Sequence, residues 1–533
     1  MIPYLKKLEE QIRLNGSITA LADYGGKAYT YASLAEQIEL YHVFFETIGL
    51  QKGEKVAICA RSCARWGICF LAVNTYGAVA VPILADFTPE SAAVLVNHSE
   101  SVLLVTDPDI WERMKEIKFP KLLGVMSCRN EELLYNSDKA VDAAWNGRRQ
   151  LFEARYPDGF RPEDVSYSGE WEDRLAIINY TSGSTGDPKG VMLPYKAMSD
   201  IVEQCQQIIL NEPDSLVSTL PMAHMYGLAM EFIYPCCTGF TIHFLGKVPS
   251  PSLFMEALQT VRPRLIITVP LVMEKIYQAM VEPMLASQPF RMPGFNSFYY
   301  KSVGKRVEKA LGGRVQTIII GGAPLNWDIE CAFRKIGLPY VVGYGMTEAC
   351  PLIALAMPGQ FVAGSCGKPI HEVRIDSSDP ETIPGEIQTK GPNLCIGYLK
   401  NDAANAKALT HDGWFRTGDL GTLDSGGNLF IRGRIKALIL SASGQNIYPE
   451  EIEQYLDSQP AVTESVVLDR DGKIIALVYP NPAGVQDPDR LGEQIREAAN
   501  QRLPQYSHIS KVELVDMPLE RTAKGTIKRH LYH

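Results

Sequence analysis

The stretch YTSGSTGDPKG, residues 180–190, contains several serine, threonine and glycine residues before a single lysine. The stretch directly follows the apolar run LAIIN at 175–179. Its glycines let the backbone turn so that several N–H groups point at one anion. The hydroxyl groups add donors, and Lys189 adds a mobile positive charge. This composition predicts a loop that holds phosphate. Its residues are Thr181, Ser182, Gly183, Ser184, Thr185 and Gly186.

The loop differs from the P-loop of nucleoside triphosphatases. That loop needs glycine before its lysine and a serine or threonine after it, since the hydroxyl binds magnesium. Here Pro188 precedes Lys189 and Gly190 follows it, so both positions fail. A flexible surface loop is the plainer alternative, but such loops rarely follow a buried strand directly. We therefore interpret the stretch as a phosphate loop of another kind.

Composition indicates a soluble globular protein. The chain has 533 residues, of which 46% are hydrophobic and 21% charged, and it is too long for one ordinary core. Its net charge of −9 and lack of a long basic run argue against a nucleic-acid-binding surface. The eleven cysteines form no CxxC pair, which is typical of reduced thiols in a cytoplasmic protein. The uncharged stretch 66–85 contains Gly77 and Pro82, and we predict a buried helix, a turn and a strand there instead of a membrane span.

Apolar runs alternate with amphipathic stretches up to about Gly433. Uninterrupted apolar runs between helices predict an α/β fold with helix-covered β-sheets. The last hundred residues predict a small α+β domain: a helix opening at Pro449, a hairpin over 461–480, a helix near 489–502 and a strand at 511–516. We place the boundary near 434–436, which gives an N-terminal domain of 1–434 and a C-terminal domain of 435–533. The predicted buried strands are KVAICA (55–60), AVAVPIL (78–84), SVLLVT (101–106), LAIIN (175–179), LIITVP (265–270), VQTIII (315–320) and PYVVGY (339–344).

Six motifs, in order, resemble those of the adenylate-forming enzymes, the superfamily of acyl-CoA synthetases, firefly luciferase and peptide-synthetase adenylation domains. The resemblance covers essentially the whole chain. It implies a large N-terminal domain, a small mobile C-terminal domain, and activation of a carboxylic acid by ATP as an acyl-adenylate with release of pyrophosphate. The motifs are YTSGSTGDPKGV (180–191), GGAPL (321–325), GYGMTE (343–348), GWFRTGDLG (413–421), GRIKALILSASGQNIYPEEIE (433–453) and PLERTAKGTIKR (518–529).

The resemblance assigns these motifs to Mg-ATP. Lys189 and the loop hydroxyls are expected to hold the β- and γ-phosphates. Thr347 and Glu348 are expected near the α-phosphate, with Glu348 binding Mg²⁺, which prefers hard oxygen donors. Asp419 is expected to accept hydrogen bonds from the ribose hydroxyls, and Arg434 to contact the ribose or a phosphate. The remaining ATP-binding residues, including the adenine pocket, are Gly321, Gly322, Ala323, Pro324, Tyr344 and Gly345.

Two further residues acquire roles only from the motif context. His224 of PMAHMYGL resembles the family element whose aromatic residue closes the acyl pocket, whereas a lone histidine beside apolar residues is more often a core residue. Lys436 falls where the family has its hinge, and a hinge residue absorbs a large backbone rotation. A lysine on a surface linker would give the same sequence pattern.

The C-terminal signature departs from the family pattern. That pattern ends T-x-x-G-K-I-x-R, and its lysine bridges the acid and the nucleotide during adenylation. In RTAKGTIKR the lysine position holds Thr526, while Lys524 and Lys528 lie two residues to either side. Side chains two apart on an extended segment point the same way, so either lysine reaches the same place. We predict a displaced lysine; the alternative is impaired adenylation.

Two segments indicate the acid. Leu-Ser-x-Ser-Gly-x-Asn in the fifth motif and TVPLVMEKIY at 268–277 resemble long-chain fatty acyl-CoA synthetases. The resemblance implies a fatty acid, ATP, Mg²⁺ and coenzyme A. An apolar channel would discriminate chain length cumulatively, at roughly 0.8 kcal/mol per buried CH₂. A medium-chain or aryl acid, an acyl carrier protein as acceptor, and a nucleotide- or acyl-binding protein with weakened turnover stay open. So does peripheral contact with the inner face of the membrane.

Overall fold

The chain forms two compact units in the computed structural model. The first unit comprises Met1–Pro324, Phe333–Phe361 and Gly391–Ala408; the second comprises Leu325–Ala332, Val362–Lys390 and Leu409–His533. The domain boundary expected near 434–436 stays a prediction. The structure describes residues 1–167, 171–182, 188–246, 250–287, 295–440, 446–470, 472–481, 488–521 and 527–532.

The α-helices are α1 (Tyr4–Leu14), α2 (Tyr31–Thr47), α3 (Ala64–Tyr76), α4 (Pro89–Ser99), α5 (Pro108–Met114), α6 (Lys139–Arg155), α7 (Tyr195–Ile208), α8 (Tyr234–Cys236), α9 (Pro251–Val261), α10 (Pro270–Ile276), α11 (Glu282–Ala286), α12 (Phe295–Ala310), α13 (Trp327–Ile336), α14 (Asp402–Ala408), α15 (Pro449–Asp457) and α16 (Pro488–Asn500). Two π-helical segments, Gly227–Ile233 and Tyr277–Val281, precede α8 and α11.

The strands are β1 (Thr19–Asp23), β2 (Ala28–Thr30), β3 (Lys55–Cys59), β4 (Val79–Ile83), β5 (Leu103–Thr106), β6 (Gly124–Ser127), β7 (Leu133–Asn136), β8 (Leu175–Ser182), β9 (Pro188–Pro194), β10 (Ser215–Ser218), β11 (Thr241–Phe244), β12 (Leu265–Thr268), β13 (Thr317–Ile320), β14 (Tyr340–Val342), β15 (Tyr344–Gly345), β16 (Leu352–Leu355), β17 (Lys368–Pro369), β18 (Glu372–Asp376), β19 (Gly385–Lys390), β20 (Gly397–Tyr398), β21 (Phe415–Leu423), β22 (Leu429–Arg434), β23 (Ile439–Leu440), β24 (Asn446–Ile447), β25 (Val462–Arg470), β26 (Lys473–Pro480) and β27 (Lys511–Leu514).

An eight-stranded sheet of the first unit has the order β20–β9–β8–β4–β3–β5–β6–β7. Five adjacent strands of this sheet are parallel to one another, in the order β8, β4, β3, β5 and β6. Every residue of β4 and β5 is buried, because both faces of a parallel sheet are covered, and this explains their uninterrupted apolar sequence. The predicted α/β class and the predicted buried strands are confirmed.

The uncharged stretch 66–85 belongs to α3 and β4. Helix α3 ends at Tyr76, the next residue Gly77 has a left-handed φ of 90°, and β4 begins at Val79. This is the predicted helix, turn and strand. In the part of the chain that the structure describes, no helix is long and apolar enough to cross a membrane.

A second parallel sheet in the first unit consists of β12, β13 and β14. GGAPL follows β13 and GYGMTE follows β14. Carboxyl ends of neighbouring parallel strands meet at one edge of a sheet, which is where open α/β sheets bind ligands. The two motifs therefore lie together at one edge of this sheet.

Among the described residues, the second unit contains three sheets of its own, one of which is the short pair β23–β24. The other two are larger. One is antiparallel, with the order β18–β19–β21–β22; the other consists of the hairpin β25–β26 with β27 alongside. Helices α15 and α16 pack on the hairpin through a cluster that includes Ile452, Leu456, Val467 and Ile495. The predicted helix at Pro449, the hairpin and the last strand are confirmed; residue 471 of the hairpin lies outside the described residues.

Candidate active site

The predicted phosphate loop joins the strands of an antiparallel hairpin. Strand β8 ends at Ser182 and β9 begins at Pro188, and Thr181 pairs with Lys189 across the hairpin. The chain geometry therefore holds Lys189 beside the loop that it is expected to serve. Gly183, Ser184, Thr185 and Gly186 lie outside the described residues, as does the side chain of Ser182.

Tyr398 links Lys189 to Glu348. Its ring centroid lies 5.0 Å from Lys189 Nζ, and its hydroxyl donates a hydrogen bond of 3.0 Å to Glu348 Oε1. Burial, and next the charge of Glu348, raise the pKa of Tyr398 well above its ordinary value, so this phenol remains a donor at neutral pH. Since Glu348 is only 9% exposed, the bond fixes the orientation of a nearly buried carboxylate.

Short backbone contacts position Tyr398. Strand β20 pairs with β9 so that Tyr398 lies opposite Val191, and Leu399 N donates to Gly190 O at 2.8 Å. The Asn405 side chain both accepts from Tyr398 N at 2.7 Å and donates to Tyr398 O at 3.0 Å. This tyrosine was not predicted from the sequence. Its available signal, a Gly-Tyr pair at 397–398, is weak by itself.

The GYGMTE segment makes a close turn after β14. A Cβ atom at Gly345 would lie 1.8 Å from Pro351 O, so the position accepts only glycine. Thr347 and Glu348 belong to one 3₁₀ turn, Thr347–Ala349. Cys395 N donates to Glu348 O at 2.8 Å, which ties this turn to the chain that leads to Tyr398. Thr347 and Glu348 therefore lie together on a constrained backbone.

The residues present fit the expected magnesium ion. A carboxylate is the hard oxygen ligand that Mg²⁺ prefers, and the ion usually takes one or two carboxylates plus substrate phosphates and water. Glu348 offers such a carboxylate and is oriented through one of its oxygens. Across the described ranges, no three His, Cys, Asp or Glu side chains gather into an all-protein metal site. The single oriented carboxylate of Glu348 suits an ion that also binds the phosphates of a nucleotide.

The expected adenine segment lies against Tyr226 of PMAHMYGL. A Cβ atom at Gly321 would lie 3.1 Å from Tyr226 Cζ, and Gly322 has a left-handed φ of 86°. The Tyr226 hydroxyl lies 3.2 Å from both Thr268 O and Ile319 O. The glycine at position 321 thus permits close approach to an aromatic ring.

The other residues predicted to bind the nucleotide lie in this segment or, for Tyr344, after the neighbouring strand. Gly322, Ala323 and Pro324 are exposed beyond β13, and Tyr344 is half-buried just after β14. All four lie near the carboxyl ends of two adjacent parallel strands. This is the edge at which a flat base is expected to bind.

His224 is half-buried on the segment between β10 and the first π-helical segment. Its N–H donates to Pro221 O at 2.9 Å. The preceding residue, Ala223, accepts a hydrogen bond of 2.9 Å from Asn179 Nδ2. Asn179 lies on β8, three residues before Ser182, so the phosphate strand and the expected acid segment are directly joined. Asn179 was not predicted from the sequence.

In the second unit, Asp419 and Arg434 are partners across β21 and β22. Arg434 Nε lies 2.7 Å from Asp419 Oδ1, with the carboxylate buried and the arginine side chain 64% exposed. The two residues expected at the ribose thus form one ion pair. Lys436 follows in a single 3₁₀ turn, Ile435–Ala437, directly after β22. Its hinge role stays a prediction.

Of the two candidate C-terminal lysines, Lys528 is described. Its Nζ lies 3.2 Å from Glu520 Oε2, and its N–H donates to Glu520 O at 2.8 Å. Lys524 and Thr526 lie outside the described residues. The nearby Arg529 of the same motif forms an ion pair with Glu453 and therefore anchors the end of the chain.

Comparison with known proteins places this arrangement in a family. Residues 8–399 match the family described as AMP-binding enzyme, and residues 436–533 match the AMP-binding enzyme C-terminal domain. The chain is 27% identical over 487 residues to the long-chain-fatty-acid–CoA ligase FadD15 of Mycobacterium bovis, covering 85% of this chain and 77% of the relative.

Two other relatives differ in acid or acceptor. The 2-succinylbenzoate–CoA ligase of Bacillus licheniformis is 33% identical over 371 residues, covering 67% of this chain and 70% of the relative. The chloroplastic long-chain-fatty-acid–[acyl-carrier-protein] ligase AEE15 of Arabidopsis thaliana is 25% identical over 579 residues, covering 92% and 78%.

Solved structures share the fold along nearly the whole chain. ATP-bound MatB from Rhodopseudomonas palustris superposes with a TM-score of 0.78 at 23% identity, over 99% of this chain and 97% of that one. The o-succinylbenzoate coenzyme A synthetase MenE from Bacillus subtilis, in complex with ATP and magnesium ion, gives 0.75 at 23% identity over 98% of both chains. The chain therefore belongs to the AMP-binding enzyme family and has the adenylate-forming enzyme fold.

Proposed function

We propose that the protein is an AMP-forming acid–thiol ligase that activates a fatty acid and transfers the acyl group to coenzyme A. The observation that carries the proposal is the contact of Tyr398 with both Lys189 and Glu348. It brings the cation of the phosphate hairpin and the carboxylate of GYGMTE to one aromatic side chain. Acyl- and aryl-CoA ligases among the relatives make this the best-supported reaction class.

In the proposed first step, an oxygen of the acid carboxylate attacks the α-phosphorus of ATP. The bond to the β-phosphate oxygen breaks, giving acyl-AMP and pyrophosphate. Both reactants are anionic, so aimed cations and donors lower the barrier by electrostatic stabilisation. Lys189 and the loop hydroxyls would hold the β- and γ-phosphates, and Thr347 the α-phosphate. Mg²⁺, held by Glu348, would neutralise phosphate charge when bound.

In the proposed second step, the thiolate of coenzyme A attacks the acyl carbonyl, and AMP leaves with the electrons of the acyl–oxygen bond. Asp419 and Arg434 would retain the ribose through both steps, since a carboxylate offers several acceptor sites to hydroxyl groups. A hinge at Lys436 would let the C-terminal domain present a different surface for each step. His224 would lie at the acid pocket.

The acid class rests on resemblance. Leu-Ser-x-Ser-Gly-x-Asn, TVPLVMEKIY and the fatty acid ligases among the relatives support a long chain. An aryl acid is the second candidate, because a 2-succinylbenzoate–CoA ligase is 33% identical to this chain over 371 residues. An acyl carrier protein is the second candidate acceptor, supported by AEE15. We propose a cytoplasmic location, and contact with the inner face of the membrane would serve delivery of an apolar acid.

The test is acid-dependent AMP formation. Purified protein with Mg-ATP is given acetate, octanoate, palmitate, benzoate or 2-succinylbenzoate, and AMP is measured alone, with coenzyme A and with holo acyl carrier protein. AMP that appears with palmitate and increases with coenzyme A supports the proposal. AMP with 2-succinylbenzoate alone would replace the fatty acid with an aryl acid. Nucleotide binding without AMP from any acid would favour a binding protein with impaired adenylation.

A further inference from the structure

The segment that carries His224 begins at a buried carboxyl group. Strand β10 ends at Ser218, and the chain then turns through Thr219 and Leu220. Glu231 Oε2 accepts hydrogen bonds from Ser218 Oγ at 2.9 Å, Thr219 N at 3.0 Å and Leu220 N at 2.9 Å. A single oxygen atom thus fixes three consecutive residues where the chain enters PMAHMYGL.

Glu231 comes from the other end of the same segment. It lies in the π-helical segment Gly227–Ile233, and such segments inside helices are frequent at functional sites. A Cβ atom at Gly227 would lie 2.8 Å from Pro221 O and 3.0 Å from Leu220 Cβ. The close approach at Gly227 and the carboxyl group of Glu231 therefore hold the two ends of the His224 segment together.

Two side chains fix the middle of this segment. Asn179 Nδ2 donates to Ala223 O at 2.9 Å, and Met222 N donates to Ser62 Oγ at 3.0 Å. Ala223 and Met222 are the two residues before His224. The backbone that presents His224 is therefore held from both sides, with Glu231 at the entrance of the segment.

The carboxyl group of Glu231 suits this task in either protonation state. It is fully buried, and burial raises its pKa to about 8, against hydrogen bonds that lower it. Oε2 accepts from three donors, so in the protonated form the proton would reside on Oε1, which lies 3.4 Å from the Thr219 hydroxyl. A hydroxyl accepts as well as donates. A glutamine side chain has the same layout of one acceptor and one donor.

We propose that Glu231 is a positioning residue for acid recognition: its carboxyl group fixes the Ser218–Leu220 turn and thereby the place of His224 at the acid pocket. The inference rests on the proposed function, because it needs an acid pocket beside His224. Glu231 acts through the backbone and does not touch a reactant. Its removal is therefore expected to weaken recognition of the acid and to leave recognition of ATP unchanged.

The test compares Glu231→Ala, Glu231→Gln and, as a matched exposed control, Glu256→Ala. In Glu231→Ala, the KM for the fatty acid is expected to rise at least about tenfold, since a misplacement near 1 Å costs up to about a hundredfold. The KM for ATP is expected to stay within about twofold of wild type. In Glu231→Gln and in the control variant, the KM for the fatty acid and the KM for ATP are both expected to stay near the wild-type values.

Amide hydrogen exchange without substrate gives an independent readout. The peptide containing Thr219 and Leu220 is expected to exchange faster in Glu231→Ala than in wild type, and at the wild-type rate in Glu231→Gln. Unchanged exchange in Glu231→Ala, an equal rise in both KM values, or a glutamine variant as damaged as the alanine variant overturns the proposal. If the alanine variant does not fold, Glu231→Asp, whose carboxyl group is one methylene shorter, takes its place with the same criteria.

Failure of the proposed function gives a different result. Wild-type protein would then form no AMP from any acid, while the exchange comparison would still report on the turn. In that case the affinity for a fluorescent fatty acid replaces the KM. Weaker binding in Glu231→Ala but not in Glu231→Gln supports the positioning role, and equal binding in all variants overturns it.

Discussion

Tyr398 donates a hydrogen bond of 3.0 Å to Glu348 while its ring lies 5.0 Å from the ammonium group of Lys189. The tyrosine thereby contacts both charged residues on which the proposed adenylation depends. Its hydroxyl acts on the carboxylate, and its ring face attracts the cation. The two contacts use different parts of one side chain, so substitutions separate them.

Tyr398→Phe removes the hydroxyl and keeps the ring. A hydrogen bond to a charged group contributes about 1.5–3 kcal/mol, so adenylation is expected to slow by about tenfold or more, with a higher Mg²⁺ requirement. Pyrophosphate release measured over a series of Mg²⁺ concentrations checks this. Tyr398→Leu, which also removes the ring, is expected to raise the KM for ATP as well. A phenylalanine variant equal to wild type at all Mg²⁺ concentrations would contradict the prediction.

Lys189→Ala is expected to raise the KM for ATP by about tenfold or more, because a charged hydrogen bond to phosphate is lost. Lys189→Arg keeps the charge but not the compact ammonium group, and is expected to recover only part of the loss. Lys196→Ala serves as the control, since Lys196 forms an exposed ion pair with Asp173, and such pairs contribute little. Kinetics that vary the ATP concentration measure all three variants.

Sequence predicted the elements that depend on local pattern. Strand β4 is apolar throughout because both faces of its sheet are covered, and α15 begins at Pro449 because proline suits the first helical position. Lys189 and Glu348 are predicted as site residues because each lies in a glycine-containing motif. Gly345 explains that link physically, since any side chain there would meet Pro351 O.

The residues that sequence missed depend on contacts between distant segments. Tyr398 reaches Glu348 because β20 pairs with β9, and no local pattern records that pairing. Asn179 lies inside a buried strand and reads as an ordinary strand residue, yet it contacts Ala223. In the sequence, Glu231 is a charged residue within an apolar stretch. Its proposed role depends on the Ser218–Leu220 turn, which precedes it by eleven residues or more. Such contacts can be identified only once the folded structure is known.

Arg434→Ala separates stability from nucleotide binding. The Arg434 side chain is 64% exposed but the Asp419 carboxylate is buried, so loss of the ion pair takes one partner from a buried charge and is expected to lower the free energy of unfolding by about 1–3 kcal/mol. The KM for ATP is expected to rise several-fold, because the ribose loses a partner. Urea denaturation and ATP kinetics measure the two effects. A large loss of stability with an unchanged KM would mean that the pair is structural.

Separate assays of the two half-reactions distinguish the roles of Lys524 and Lys528. Because Lys528 forms an ion pair with Glu520, Lys524→Ala is expected to cause the larger fall in pyrophosphate release, by about tenfold or more, as loss of a charge-assisted contact implies. Thioester formation from supplied acyl-adenylate is expected to stay near wild type in both variants. The reverse order of effects would assign the displaced role to Lys528. No effect in either single variant or in the double variant would contradict a displaced lysine.

Glu231 is expected to make stability fall as pH rises. Its pKa is about 8 in the folded protein against an ordinary value of 4.5, so the folded chain keeps a proton that the unfolded chain releases between these values. The free energy of unfolding therefore decreases with rising pH across that window and levels off above it. Glu231→Gln lacks this titration and is expected to gain stability relative to wild type over the same range.

Urea denaturation of both proteins between about pH 5 and about pH 9 measures the difference. Tyr226 is an ionisable group that interacts with the charge of Glu231, and burial, followed by that charge, raises the pKa of Tyr226 well above its ordinary value. Tyr226 therefore keeps its proton throughout this range and adds no slope. Glu256→Gln, at an exposed site, is expected to run parallel to wild type. Parallel curves for Glu231→Gln and wild type would mean that Glu231 does not titrate in this window, and that its carboxylate stays ionised under the three donors on Oε2.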